Sequence, residues 1–157
     1  MNIKQILQLF VISLLISGCA ALEKGGFLIP PPSQSEYFHT TGAGFTLTAG
    51  DPDSVMYIIS LDAIKFREKD IFIEVWFEDP SSPKTPIIIT YTLQPEESSF
   101  TLKSPPVYGL RSYEGYVIDI FIYEDSTKAN LLGRHRQVVQ SIIDQNKFNK
   151  IWEQKGK

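Results

Sequence analysis

Acid–base, nucleophilic and metal chemistry rest mostly on histidine, cysteine and convergent carboxylates, and this sequence is poor in them. Cys19 is the only cysteine, and His39 and His135 are the only histidines, among 157 residues. A histidine titrates near neutrality and can act as a general base. Here His39 stands at the entrance to the domain, while His135 sits between Arg134 and Arg136. Neither G-x-S-x-G nor H-E-x-x-H occurs, and a single cysteine cannot build a metal cluster. Gly42-Ala43-Gly44 begins like a phosphate loop, but Leu47 stands where that pattern needs its third glycine. Asp51 and Asp53, with Glu124 and Asp125, would offer oxygen ligands to calcium if their loops met. Acids beside Pro, Ser and Thr in turns are more often solvated caps. The expectation is a protein that is not an enzyme and holds no cofactor and no metal.

The stretch best suited to recognition is Pro105-Pro106-Val107-Tyr108-Gly109-Leu110-Arg111-Ser112-Tyr113. Prolines stiffen it, and Tyr108, Arg111 and Tyr113 are residue types that anchor interfaces or stack on sugars, having large area and a polar handle. Arg134-His135-Arg136 would suit a phosphate or lipid headgroup, although three polar residues on an exposed strand are more often simply wet.

The elements that would position these groups begin with an anchor. Residues 1–18 carry Lys4 near the start and an apolar run from Ile6 to Ile16 that is too short to cross a bilayer stably. This is the layout of an export signal. Its end, Ile16-Ser17-Gly18-Cys19, resembles the lipobox of bacterial lipoproteins: a branched apolar residue, two small residues and a cysteine. The resemblance implies a diacylglyceryl group on the Cys19 sulfur, cleavage just before it, and acylation (palmitate or similar) of the new N-terminus. Two or more chains make release from a membrane rare, since each buried methylene contributes about 0.8 kcal/mol. In Gram-negative members an aspartate after the cysteine retains the protein in the inner membrane, so Ala20 implies the outer membrane, facing the periplasm.

Removal of residues 1–18 leaves enough chain for one domain of common size. The formal net charge of the whole chain is -3, and loss of Lys4 makes the mature chain one unit more negative. That argues against nucleic acid, which would want a basic face. With one cysteine there is no intramolecular disulfide, so the core must hold by packing. Residues 19–44, with Gly25-Gly26 and Pro30-Pro31-Pro32, read as the lipidated N-terminus and a semi-rigid linker. Within it, Phe27-Leu28-Ile29 is apolar for a free tether and would dock on the domain, dip into headgroups or bind a partner.

From Phe45 onward, β-branched and aromatic runs of period two recur between turn residues, as in a sandwich of short strands. Seven strands are predicted, at Phe45–Thr48, Val55–Leu61, Ile71–Glu78, Pro86–Leu93, Ser99–Lys103, Gly115–Glu124 and Leu131–Ile143. Alternation puts Ile71, Ile73, Val75 and Phe77 on one face, and Phe72, Glu74, Trp76 and Glu78 on the other, which its acids mark as wet. Tyr116, Ile118, Ile120 and Ile122 point inward, opposite Val117, Asp119, Phe121 and Tyr123. Leu110, Tyr116, Ile118 and Ile120 are spaced as in the tyrosine corner of fibronectin type III and immunoglobulin-like domains, which they resemble. The resemblance implies a tyrosine that opens the penultimate strand and ties its hydroxyl to nearby backbone. After Asp144, a possible cap, Phe148, Ile151 and Trp152 repeat at helical spacing and predict a short C-terminal helix.

The expected fold is therefore an all-β, antiparallel, immunoglobulin-like β-sandwich of about seven strands over 45–157, with that helix at its end. The expected role is a lipid-anchored cell-envelope protein that binds another envelope protein as an accessory or assembly subunit. The alternative is a carbohydrate or small-ligand module using the 105–113 loop.

Overall fold

The computed structural model describes residues 23–24, 27–28, 32–65 and 67–142. The expected export signal, Cys19 and the expected C-terminal helix all lie outside the described residues. The chain divides into two units between Pro30 and Pro31. In the first, β1 (Glu23–Lys24) and β2 (Phe27–Leu28) pair antiparallel within the stretch expected to be linker.

The second unit is a β-sandwich of seven antiparallel strands: β3 (Phe38–Thr48), β4 (Asp51–Ala63), β5 (Ile71–Phe77), β6 (Ile87–Leu93), β7 (Ser99–Lys103), β8 (Gly115–Tyr123) and β9 (Leu131–Gln140). One sheet has the order β3-β4-β7 and the other β6-β5-β8-β9. No helix occurs among the described residues. The alternation read in the sequence sets the faces: Ile73, Val75 and Phe77 of β5 and Tyr116, Ile118, Ile120 and Ile122 of β8 are buried. They meet Tyr57, Ile59 and Leu61 from β4 in the space between the sheets. Tyr57 tilts against Phe77 at 5.3 Å and donates its hydroxyl to the Glu78 carbonyl at 2.7 Å, so a phenol closes this end of the core. Burial pushes its ionisation far upward.

Strand boundaries depart most from the sequence expectation at β3, β4 and β9, with β4 running from Asp51 to Ala63 rather than from Val55 to Leu61, and β5, β6 and β8 are each one residue shorter at one end. β3 starts at Phe38 rather than Phe45, and so takes in the Gly42-Ala43-Gly44 stretch as paired strand. Its register is set by β4, where Thr40 pairs with Leu61 and Gly42 with Ser60, leaving Thr41 in a bulge. β9 stops at Gln140, where Ser141 turns its amide to the Glu114 carbonyl at 2.9 Å.

Candidate functional site

The 105–113 loop joins β7 to β8. Ser104, buried, starts it by accepting the Tyr57 amide at 3.0 Å and donating to the Pro105 carbonyl at 2.6 Å. Val107 then exchanges both backbone hydrogen bonds with Val55 (2.7 and 3.0 Å), and its side chain enters the core together with Leu110. Gly109 turns the chain between them at φ 80°, a conformation that favours glycine. Tyr116 is buried, and its hydroxyl accepts the Arg111 amide at 2.9 Å while donating to Glu114 at 3.3 Å. That is the bond expected of a tyrosine corner. Burial pushes the Tyr116 phenol up to about 12.

These anchors leave Tyr108, Arg111 and Tyr113 facing solvent. Tyr108 is 48% exposed and donates to Asp51 at 2.9 Å, which ties the loop to the start of β4 and holds the Asp51 carboxyl below its usual range. Arg111 reaches Glu114 at 3.4 Å. Tyr113 is 78% exposed at φ 65°, and its amide is gripped by the Ser141 carbonyl at 2.6 Å. A non-glycine residue in the left-handed region costs about 1–2 kcal/mol, so the surrounding bonds hold this tyrosine where it would not otherwise sit. The structure thus brings the three expected recognition residues onto one pinned loop, each tied to a different neighbour.

The other polar stretches are engaged internally. Asp119 accepts two forks of hydrogen bonds, from Arg136 (2.6 and 2.8 Å) and from Arg134 (3.2 and 2.7 Å). Burial raises its carboxyl, but Arg136 and then Arg134 outweigh this and hold it low. Arg134 also lies over the Phe121 ring at 4.9 Å. His135 corrects the expectation of a wet triplet, because it is fully buried. Its Nδ1 accepts the Ser35 amide at 3.3 Å, which puts the proton on Nε2, facing Thr40 Oγ1 at 2.7 Å. Burial and, secondarily, His39 keep it neutral by lowering its ionisation. Glu74 is likewise not wet: it is buried between the Trp76 indole, which donates at 2.8 Å, and the Lys128 ammonium. Asp51, at the start of β4, accepts the Asp53 amide and Asp125 accepts the Thr127 amide within its turn, and among the described residues no group of three or more His, Cys, Asp or Glu side chains could hold a metal.

A cleft of about 460 Å³ lies apart from the loop, along the side of the sandwich between β3 and β9; Ser35, Phe38, Ala43, Ile64 and Gln137 are among its lining residues. No local pattern in the sequence points to it. Next to it, Ser33 pairs with Arg136 on the β9 edge before the chain enters β3.

No family model matches the chain, and no curated protein matches it in sequence. Among solved structures it is similar to part of a Bacteroides uniformis β-glucuronidase, with TM-score 0.41, 11% identity and coverage of 66% of this chain and 12% of that one. It has the same partial similarity to Bacteroides uniformis β-glucuronidase 2 covalently bound to cyclophellitol-6-carboxylate aziridine (TM-score 0.42, 12% identity, 66% and 12% covered). A calcium-binding mutant of that enzyme gives TM-score 0.41 and 11% identity over 66% and 13% of the two chains. The chain therefore spans only about one eighth of the length of the proteins it resembles in shape.

Proposed function

We propose that this chain is a lipid-anchored, non-catalytic member of the cell envelope, held by an acylated Cys19 on the periplasmic face of the outer membrane, whose immunoglobulin-like sandwich presents the 105–113 loop to another envelope protein. The observation that carries the reading is the loop's construction. Val107, Leu110 and the Tyr116 hydroxyl fix it from below, while Tyr108, Arg111 and Tyr113 stay exposed. Side chains held in place before binding lose little entropy on binding, and Tyr and Arg are the types that most often dominate interface energetics. The lipobox-like Ile16-Ser17-Gly18-Cys19 supports the anchor.

Crosslinking in intact cells, followed by identification of the captured protein, tests this reading. Replacement of Tyr108, Arg111 and Tyr113 together by Ala is expected to abolish capture with the melting temperature nearly unchanged. Tyr116→Phe should do the reverse, lowering stability by about 0.5–1.5 kcal/mol without selective loss of capture. Cys19→Ser should release the protein from the membrane fraction. A triple variant that folds and still captures its partner would move the site elsewhere. Saturable glycan binding, lost in the triple variant and unaccompanied by protein capture, would favour the carbohydrate-module alternative.

A further inference from the structure

The sandwich has four strand edges, and three are protected in the ways proteins commonly protect edges. β9 carries Arg134 and Arg136 and is capped by Ser33. β3 is interrupted by the bulge at Thr41. β7 is five residues long and ends in Lys103. β6 has none of these devices: Ile87-Ile88-Ile89-Thr90-Tyr91-Thr92-Leu93 holds no charge, no proline and no bulge. All seven residues pair in register with β5, and among the described residues nothing pairs with the other edge. Ile88 is 50% exposed beside Trp76, its 36% exposed cross-strand neighbour.

We propose that this edge pairs with the β6 edge of a second copy of the chain, antiparallel about a two-fold axis at Thr90, joining two four-stranded sheets into one of eight. The sequence around β6 is self-complementary in that register. Ile87 faces Leu93 of the second copy, Ile88 faces Thr92, Ile89 faces Tyr91 and Thr90 faces itself, so no like charges meet. Just beyond the strand, Lys84 of one copy approaches Glu96 of the other. Both are exposed, and neither is in an ion pair among the described residues. Pro86 and Pro95 bound the paired segment at its two ends and limit its growth. This charge complementarity favours a second copy over an unrelated strand.

Sedimentation equilibrium of the purified full chain tests the proposal. The wild type is expected to form a dimer. Thr90→Lys, which sets two ammonium groups face to face, should weaken it at least about tenfold. Lys84→Glu should weaken it less, and the exchanged pair Lys84→Glu with Glu96→Lys should restore it. In a Cys19→Ser background, Thr90→Cys should form a disulfide between copies on mild oxidation, whereas Ala43→Cys on β3 should not. The proposal fails if the wild type stays monomeric, if the dimer ignores both Thr90→Lys and the charge exchange, or if the crosslink forms through position 43 and not 90. If Thr90→Lys does not fold, the charge exchange decides the matter, because its positions lie in exposed turns. Dimerisation does not depend on the 105–113 loop, so the triple-Ala variant should remain dimeric.

Discussion

Asp119→Asn should be among the most damaging single-atom exchanges on the outside of this sandwich. Asp119 lies on β8 opposite Arg136, its cross-strand partner, and holds two guanidinium groups with four hydrogen bonds. The two pairs are not equal. The Arg136 side chain is 16% exposed and that of Asp119 13%, so this fork is mostly withdrawn from water, whereas Arg134 is 44% exposed. Charge-assisted bonds in the sheltered pair are worth about 1.5–3 kcal/mol, and the exposed pair adds about 0–1 kcal/mol. An asparagine oxygen still accepts one or two of the bonds, so the net loss should be about 2–3 kcal/mol. For a domain of this size that corresponds to a drop of about 10 °C in Tm. Urea unfolding at neutral pH measures the loss directly. Arg136→Ala should cost most of it, Arg134→Ala less than about 1 kcal/mol, and the two should not add. The low Asp119 carboxyl also stabilises the fold above the carboxylate's ordinary range, a contribution lost as pH falls through its depressed folded value. Asp119→Asn should remove that part of the acid dependence. A loss below about 0.5 kcal/mol would show that desolvation cancels the pairing and would refute the reasoning.

Two further outcomes follow from buried or strained groups. The His135 ring is neutral in the fold with its ionisation lowered, so its contribution is fully present above about pH 6.5, its ordinary value, and falls away below it towards the lower folded value. The slope from this one proton is at most about 1.4 kcal/mol per pH unit, and charging Nδ1 also removes the acceptor for the Ser35 amide; urea midpoints for His135→Gln should be lower at neutral pH yet flatter between about pH 7 and 5, and a profile parallel to wild type would assign the acid sensitivity to another group. Tyr113→Gly should relieve the left-handed strain and raise stability by about 1 kcal/mol while weakening partner capture; a lower melting temperature would mean that the tyrosine ring supports the loop.

Local pattern was enough to read β5 and β8, because strict alternation of Ile, Val and Phe with polar or aromatic residues fixes which face is buried. It also located Tyr116, whose bond spans only the short distance back to Arg111. It failed where distant chain decides the environment. His39-Thr40-Thr41-Gly42-Ala43-Gly44 has little β signal of its own and becomes strand because β4 offers it a partner over Ile58–Asp62. Glu74 looks wet on its own strand, but Lys128 arrives from the β8–β9 turn to cover it. His135 looks exposed between two arginines, and is buried only because Ser35 and Thr40, about a hundred residues earlier, close over it.

That closure bears on what the outer face of the four-stranded sheet can do. Arg134-His135-Arg136 has the composition of an anion site, yet a phosphate or headgroup would have to compete with Asp119, which already takes the Nε and Nη2 donors of both guanidinium groups. The buried neutral imidazole between them offers no free donor, since its one N–H faces Thr40. Lys128 is committed to Glu74, and Glu74 to the Trp76 indole. Two guanidinium groups share the one Asp119 carboxylate, so a unit of positive charge remains there, but the donors nearest each other are already bonded to Asp119 and a monoanion would gain little by taking the carboxylate's place. The exposed groups that are not locked in such networks lie elsewhere: the Tyr113 ring on its pinned loop, and the uncharged backbone edge of β6. Recognition at these places would rest mainly on rings and main-chain hydrogen bonds, with the exposed Lys84–Glu96 pairs adding only a modest salt dependence at β6, whereas an arginine-borne headgroup site would lose affinity steeply as ionic strength rises.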